Sequence, residues 1–235
     1  MLEDPVSCVE RPAHSPEDQA KAAEASCPTK LAALGFVDSL ALSDAARAAV
    51  VVAERTLRVT CPECGRNVPF YCTRCMWTPL PLPPPLSLGV RVHIIRHKKE
   101  PASKSSAVLL PKLVAEGDLA LHEWSNGSSS RLAEAVQQPG TWLLYPRDDA
   151  VDAASVDWST VSQIVLIDSQ WSKASAVGSD PCIAALPAMR LTNGPRTCFW
   201  RVATRRLDGV EGLLSTAECV RHTLGVRAAA LRLGK

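Results

Sequence analysis

Phenylalanine and tyrosine are scarce in this 235-residue chain: three Phe and two Tyr, with aromatic residues at 5% overall. A core stacked from many rings is therefore excluded. Six tryptophans, at positions 77, 124, 142, 158, 171 and 200, are left as a few large anchors. Also missing is any run of ~18 uninterrupted apolar residues, the length a membrane-spanning helix needs. The opening stretch MLEDPVSCVERPAHSPEDQ has acids and prolines where a leader peptide would have a basic end and an apolar stretch. A soluble, intracellular protein with no membrane partner is expected. There is no internal repeat, which excludes a repeat architecture.

Net charge is small, +2, but unevenly spread. Residues 1–55 hold 5 Lys/Arg against 9 Asp/Glu, and the remainder holds 21 against 15. The positive body suits a polyanionic partner without requiring one. With 46% hydrophobic side chains the chain is long enough for one sizeable core and small attachments.

Residues 1–35, rich in Ala, Pro, Ser and Glu, read as a mobile extension. A cap at Ser43 before Ala-rich helix formers predicts a helix to about Thr56, so residues 36–58 form a helical segment. Residues 59–80 hold a cysteine cluster. Over 81–89 the prolines of TPLPLPPPLSLG exclude helix and inner strand and leave a stiff linker. Residues 90–235 then alternate short apolar runs (VRVHIIRH, TWLLYP, QIVLID) with helix-compatible segments such as SSRLAEAVQQ, the pattern of an α/β fold with a parallel sheet. NGSSS reads as a loop and PRDDAVDAASV as a polar crossover. A last helix begins with Ser215 as cap and Glu218 three residues on, a capping box.

Cys61, Cys64, Cys72 and Cys75 follow the spacing C-x2-C-x7-C-x2-C, two knuckles near enough for four thiolates to surround one Zn ion. Four sulfurs leave no open position for water, so such an ion would be structural and would help to fold its segment. Gly65 permits the tight turn after the first pair. Cys8, Cys27, Cys182, Cys198 and Cys219 lack this spacing and read as buried or incidental thiols.

The run QIVLIDSQW raises the sharpest question, because an apolar strand stops at Asp168, Ser169, Gln170 and Trp171. Ligands gather at the carboxyl ends of α/β strands, and the loops after TWLLYP and QIVLID could line one pocket. Alternatively Asp168 caps the next helix and Trp171 packs. The residues alone leave both readings open.

Five pieces in order carry a resemblance. They are the cysteine knuckles, Arg96-His97, Tyr145-Pro146 at a strand end, Asp168-Ser169-Gln170-Trp171, and the late TCFWR and STAEC segments. Over about residues 61–224 the chain resembles the DTW-domain family of tRNA-uridine aminocarboxypropyltransferases, and it looks most like the type 1 branch. Two departures are Gln170, where the family usually has Thr, and Cys219 in place of Ala.

The resemblance implies a SPOUT-like parallel sheet with a knotted C-terminal cofactor-binding region. It implies S-adenosylmethionine as cofactor, held across Leu144, Tyr145, Pro146, Ile167, Asp168, Ser169 and Trp171, with a third loop from Leu191 to Arg196. The implied reaction moves the 3-amino-3-carboxypropyl group to N3 of a tRNA uridine, in the D-loop for this branch, and releases methylthioadenosine. Asp168 is expected either as base for the N3 proton or as the group that positions the imide, or else only to hold the loop or the cofactor's ammonium. Arg96, His97, Lys98, Lys99, Lys104 and Arg201 are the expected tRNA contacts. The family implies a monomer and a nuclear location, with the cytoplasm as the alternative, and its members often continue past the last helix. An RNA methyltransferase using the same pocket and a non-catalytic zinc-dependent RNA-binding protein stay open.

Overall fold

The computed structural model describes residues 58–68, 71–79, 82–192 and 214–234. The expected extension over 1–35 and the helix over 36–58, Arg58 apart, fall outside them. In chain order the strands are β1 (Val59–Thr60), β2 (Asn67–Val68), β3 (Arg91–His97), β4 (Leu119–Trp124), β5 (Thr141–Leu144), β6 (Val151–Asp152), β7 (Gln163–Asp168) and β8 (Ala188–Arg190). The α-helices are α1 (Ser130–Val136), α2 (Trp171–Gly178), α3 (Pro181–Ala184) and α4 (Thr216–Arg232). β1 and β2 form an antiparallel pair. The other six strands make one sheet in the order β4-β3-β7-β5-β8-β6, with every neighbouring pair parallel.

Parallel strands buried on both sides must be apolar at successive positions, which is why RVHIIRH and QIVLID occupy the middle of the sheet. Period two then sorts their side chains. Val92, Ile94, Leu144, Ile164, Leu166 and Met189 face one core, closed by Ala107, Trp158 and the α4 residues Val220 and Ala230. Ile95, Leu143 and Val165 face the other, closed by Leu132 and Val136 of α1, Val177 of α2 and Ile183 of α3. Trp158 is fully buried and its indole N–H donates to the Ala153 carbonyl at 2.9 Å. That bond keeps its one polar atom from being stranded.

Three strands of the six-stranded sheet went unread in the sequence, as did the short pair β1 and β2. β4 lies at an edge and mixes Leu119 and Leu121 with His122 and Glu123; β6 and β8 have two and three residues, too few to show a period. β6 falls inside the expected polar crossover. Gly140 fits the turn before β5 for two reasons: its φ is +76°, and a Cβ there would lie 2.4 Å from the Thr160 carbonyl oxygen.

The proline connector is fastened rather than free-standing. Leu86 forms an isolated parallel bridge to Val114, and Arg227 of α4 donates to the carbonyls of Leu88 and Gly89. α4 carries the expected capping box between Ser215 and Glu218 and runs on to Arg232. No helix among the described residues is long and apolar enough to cross a membrane. Residues 193–213, part of the expected knotted region, lie outside the described ones.

Candidate active site and metal centre

β3 and β7 lie side by side, yet their connections leave in opposite directions, β3 to β4 on one side and β7 towards β8 on the other. Such a divergence opens a crevice at the carboxyl ends of the two strands. Arg96 is in register with Glu123 on one neighbour and with Asp168 on the other. One row of side chains therefore crosses three strands at that edge. Arg96 reaches Glu123 at 3.4 Å.

Asp168 is buried and accepts a hydroxyl hydrogen bond at each oxygen. Its Oδ2 accepts from the Ser105 hydroxyl at 2.6 Å, and its Oδ1 accepts from the Thr216 hydroxyl at 2.7 Å. Ser106 Oγ accepts from the Ala217 N–H, and Ser105 Oγ from that of Ala107. One carboxylate thus ties the loop after β3 and the start of α4 to the end of β7. Asp168 does not cap α2; Gln170 occupies that position, without a side-chain hydrogen bond. Ser105 and Thr216 sit in SKSSA and LLSTAE, and only the tertiary structure pairs them with Asp168.

Of the expected cofactor residues, Leu144 is in the first core, and Tyr145 and Ile167 pack on the second. Pro146 is exposed, Ser169 half-buried, and Leu191 packs on the first core. Trp171 is the first residue of α2. A Cβ on Gly178 would lie 3.4 Å from the Tyr145 ring, so the end of α2 presses on that side chain. Among the expected tRNA contacts, Arg96 is partly exposed and Lys98, Lys99 and Lys104 are exposed. His97 is buried against Trp124, and its Nδ1 accepts from the Lys99 N–H at 3.0 Å. Burial, with Lys173 and Lys99 nearby, lowers its pKa. Arg196 and Arg201 lie outside the described residues.

Two buried acids escaped the sequence reading. Asp180 caps α3 and accepts from the Trp124 indole, the Ser128 N–H and Cys182. Burial alone would raise its pKa, but these donors outweigh burial and hold it low. Glu100, in the turn after β3, has an enclosed Oε2 that meets no partner among the described residues.

The cysteine cluster is assembled as its spacing requires, with one ligand atom from each of Cys61, Cys64, Cys72 and Cys75 and all of them within 4.8 Å of one another. Sulfurs at ~2.3 Å from a tetrahedral Zn lie roughly 3.8 Å apart, so the donor set fits that ion. The two knuckles repeat one backbone pattern. Cys61 N–H donates to the Arg66 carbonyl and Gly65 N–H to that of Cys61; Cys72 N–H donates to Trp77 and Met76 N–H to Cys72. The fifth residue of each turn has positive φ, +69° at Gly65 and +56° at Met76. Backbone donation from Cys75 pulls the Cys72 thiol down to about 6, whereas burial and neighbouring sulfurs push Cys75 up to about 12. A groove lined by Arg74, Met76, Trp77 and Lys112 runs beside the cluster.

These features define an α/β protein with a candidate ligand edge at a parallel switch point and a four-cysteine knuckle before the sheet. The chain belongs to the DTW-domain family, whose domain matches residues 58–230. It is 28% identical over 176 residues to tRNA-uridine aminocarboxypropyltransferase 2 of Drosophila melanogaster, covering 72% of this chain and 66% of that protein. It is 24% identical over 255 residues to tRNA-uridine aminocarboxypropyltransferase 1 of Mus musculus, covering 91% of this chain and 82% of that one. Against the Xenopus tropicalis protein of the latter name it is 25% identical over 191 residues, with 64% of each covered. The chain thus spans just under two thirds of the fly and frog relatives. No solved structure matches it.

Proposed function

We propose that this protein transfers the 3-amino-3-carboxypropyl group of S-adenosylmethionine to N3 of a tRNA uridine, in the D-loop as for the type 1 branch. The observation that supports this best is family membership over 58–230, in which the Asp168-to-Trp171 segment falls at the switch point of the sheet. The relatives' names support the substrate and the group transferred.

S-adenosylmethionine supplies a sulfonium that leaves as methylthioadenosine when the bond from sulfur to the γ-carbon breaks. The chain's task is to hold that carbon in line with N3 and to accept the N3 proton. Tyr145, Pro146, Ile167, Ser169, Trp171, Leu191 and Arg196 are the proposed cofactor contacts. Asp168 is the proposed base for that proton or the group that positions the imide; the two hydroxyls orient its carboxylate and leave each oxygen a further lone pair. Arg96, Lys98, Lys99, Lys104 and Arg201 face the tRNA phosphates in this reading, and zinc is the metal of the cysteine cluster.

The test is incubation of the protein with S-adenosylmethionine and unmodified tRNA, reading the small-molecule by-product and the nucleoside mass. Methylthioadenosine together with aminocarboxypropyl-uridine, both lost in Asp168→Ala, is the expected result. S-adenosylhomocysteine with a methylated nucleoside, or tRNA binding without turnover, refutes the transfer.

A further inference from the structure

We infer that Glu100 is the carboxylate that receives the α-ammonium of the cofactor's methionine portion, an inference that depends on the S-adenosylmethionine reading above. Glu100 is 6% exposed, and its Oε2 is enclosed without a hydrogen-bond partner among the described residues. Arg96 pairs with Glu123 and Arg147 with Asp149, and neither pair includes Glu100. Arg96 reaches the backbone carbonyl of Glu100, at 3.4 Å. His97, with Lys99 and Lys173 near it, feels the Glu100 charge, yet no donor among the described residues reaches Oε2, and a buried carboxylate oxygen left so is costly to keep. A ligand that brings a cationic donor to Oε2 removes that cost when it binds.

The position fits such a ligand. Glu100 lies in a short loop held at both ends against the close of β7, since Arg96 is in register with Asp168 and the Ser105 hydroxyl donates to the Asp168 carboxylate. Next in the chain to Asp168 is Ser169, whose Oγ is also enclosed and without a partner among the described residues. An ammonium has three N–H donors, and a carboxylate and a hydroxyl at one edge are suited to take them. Asp168 already accepts one hydroxyl hydrogen bond at each oxygen, whereas Oε2 of Glu100 has no donor among the described residues. The sulfonium of the same ligand is charged but has no N–H to donate to Oε2.

The experiment is calorimetric titration of the wild type and of Glu100→Gln with S-adenosylmethionine and, separately, with methylthioadenosine, which shares the adenosine and lacks the ammonium. Loss of a charged hydrogen bond lowers S-adenosylmethionine affinity roughly tenfold to a hundredfold. Methylthioadenosine affinity stays unchanged, and Glu100→Asp retains part of the lost affinity. Equal losses for both ligands would mean that Glu100 only supports the fold. Unchanged S-adenosylmethionine affinity would remove the carboxylate from the ammonium, and lost turnover with that affinity intact would make it a base for N3. A wild type that binds neither ligand overturns the cofactor reading, and this inference with it.

Discussion

Thr216→Val tests whether Asp168 acts as the tie between β7, the loop after β3 and α4. The substitution keeps the shape of the side chain and removes the hydroxyl that donates to Asp168 Oδ1 at 2.7 Å. A hydrogen bond to a charged group contributes about 1.5–3 kcal/mol. Thr216 is only partly buried, which puts the expected loss near the lower end, about 1.5 kcal/mol. For a chain of this size that lowers the melting temperature by roughly 3–6 °C. Ser105→Ala, at the buried end of the same carboxylate, should cost about 2 kcal/mol or slightly more. The decisive assay is urea denaturation of Thr216→Val, Asp168→Ala and the double variant. Residues that share one hydrogen bond are non-additive, so the double variant should be more stable than the sum of the singles implies, by about 1 kcal/mol. Additive losses, or a Thr216→Val loss below about 0.5 kcal/mol, would show that the bond does not hold the helix and would free Asp168 for another role.

Three further outcomes follow from the geometry. Cys64→Ser, or a strong chelator, should release one metal equivalent by elemental analysis and disorder residues 59–79, while circular dichroism retains most of the parallel sheet, because the cysteine cluster has its own small core. Met76→Gly should stabilise the knuckle by about 1 kcal/mol in thermal melts, since Met76 has φ +56° at the position where the sister turn has Gly65; Gly65→Ala should cost a similar amount. Acid should unfold the protein through its buried imidazoles. Burial, His122 and Arg91 depress His93 from 6.5 to about 4, and burial likewise lowers His122 and His97. Below pH 6.5 the unfolded chain takes up protons that the folded one refuses, so stability declines from there to about pH 4, by ~3 kcal/mol for His93 alone. His93→Gln should flatten that stretch of the stability profile, and an unchanged slope would refute the assignment.

The sequence by itself determined what depends on local pattern. The apolar runs of β3, β5 and β7, the capping box of Ser215 and Glu218, and the spacing of the four cysteines are covalent or near-neighbour facts, and each took the form expected of it. Short or edge strands such as β4, β6 and β8 were not legible, because two or three residues carry no period and an edge strand needs no continuous apolar run. Tertiary structure alone decided the environment of each candidate side chain. Asp168 meets Ser105 and Thr216 across 63 and 48 residues of chain, His97 turns inward onto Trp124, and Glu100 is buried without a partner for Oε2 among the described residues. The order of strands in the sheet brings these groups together or keeps them apart, and burial and hydrogen bonding then settle which carboxylate is occupied and which has an open oxygen.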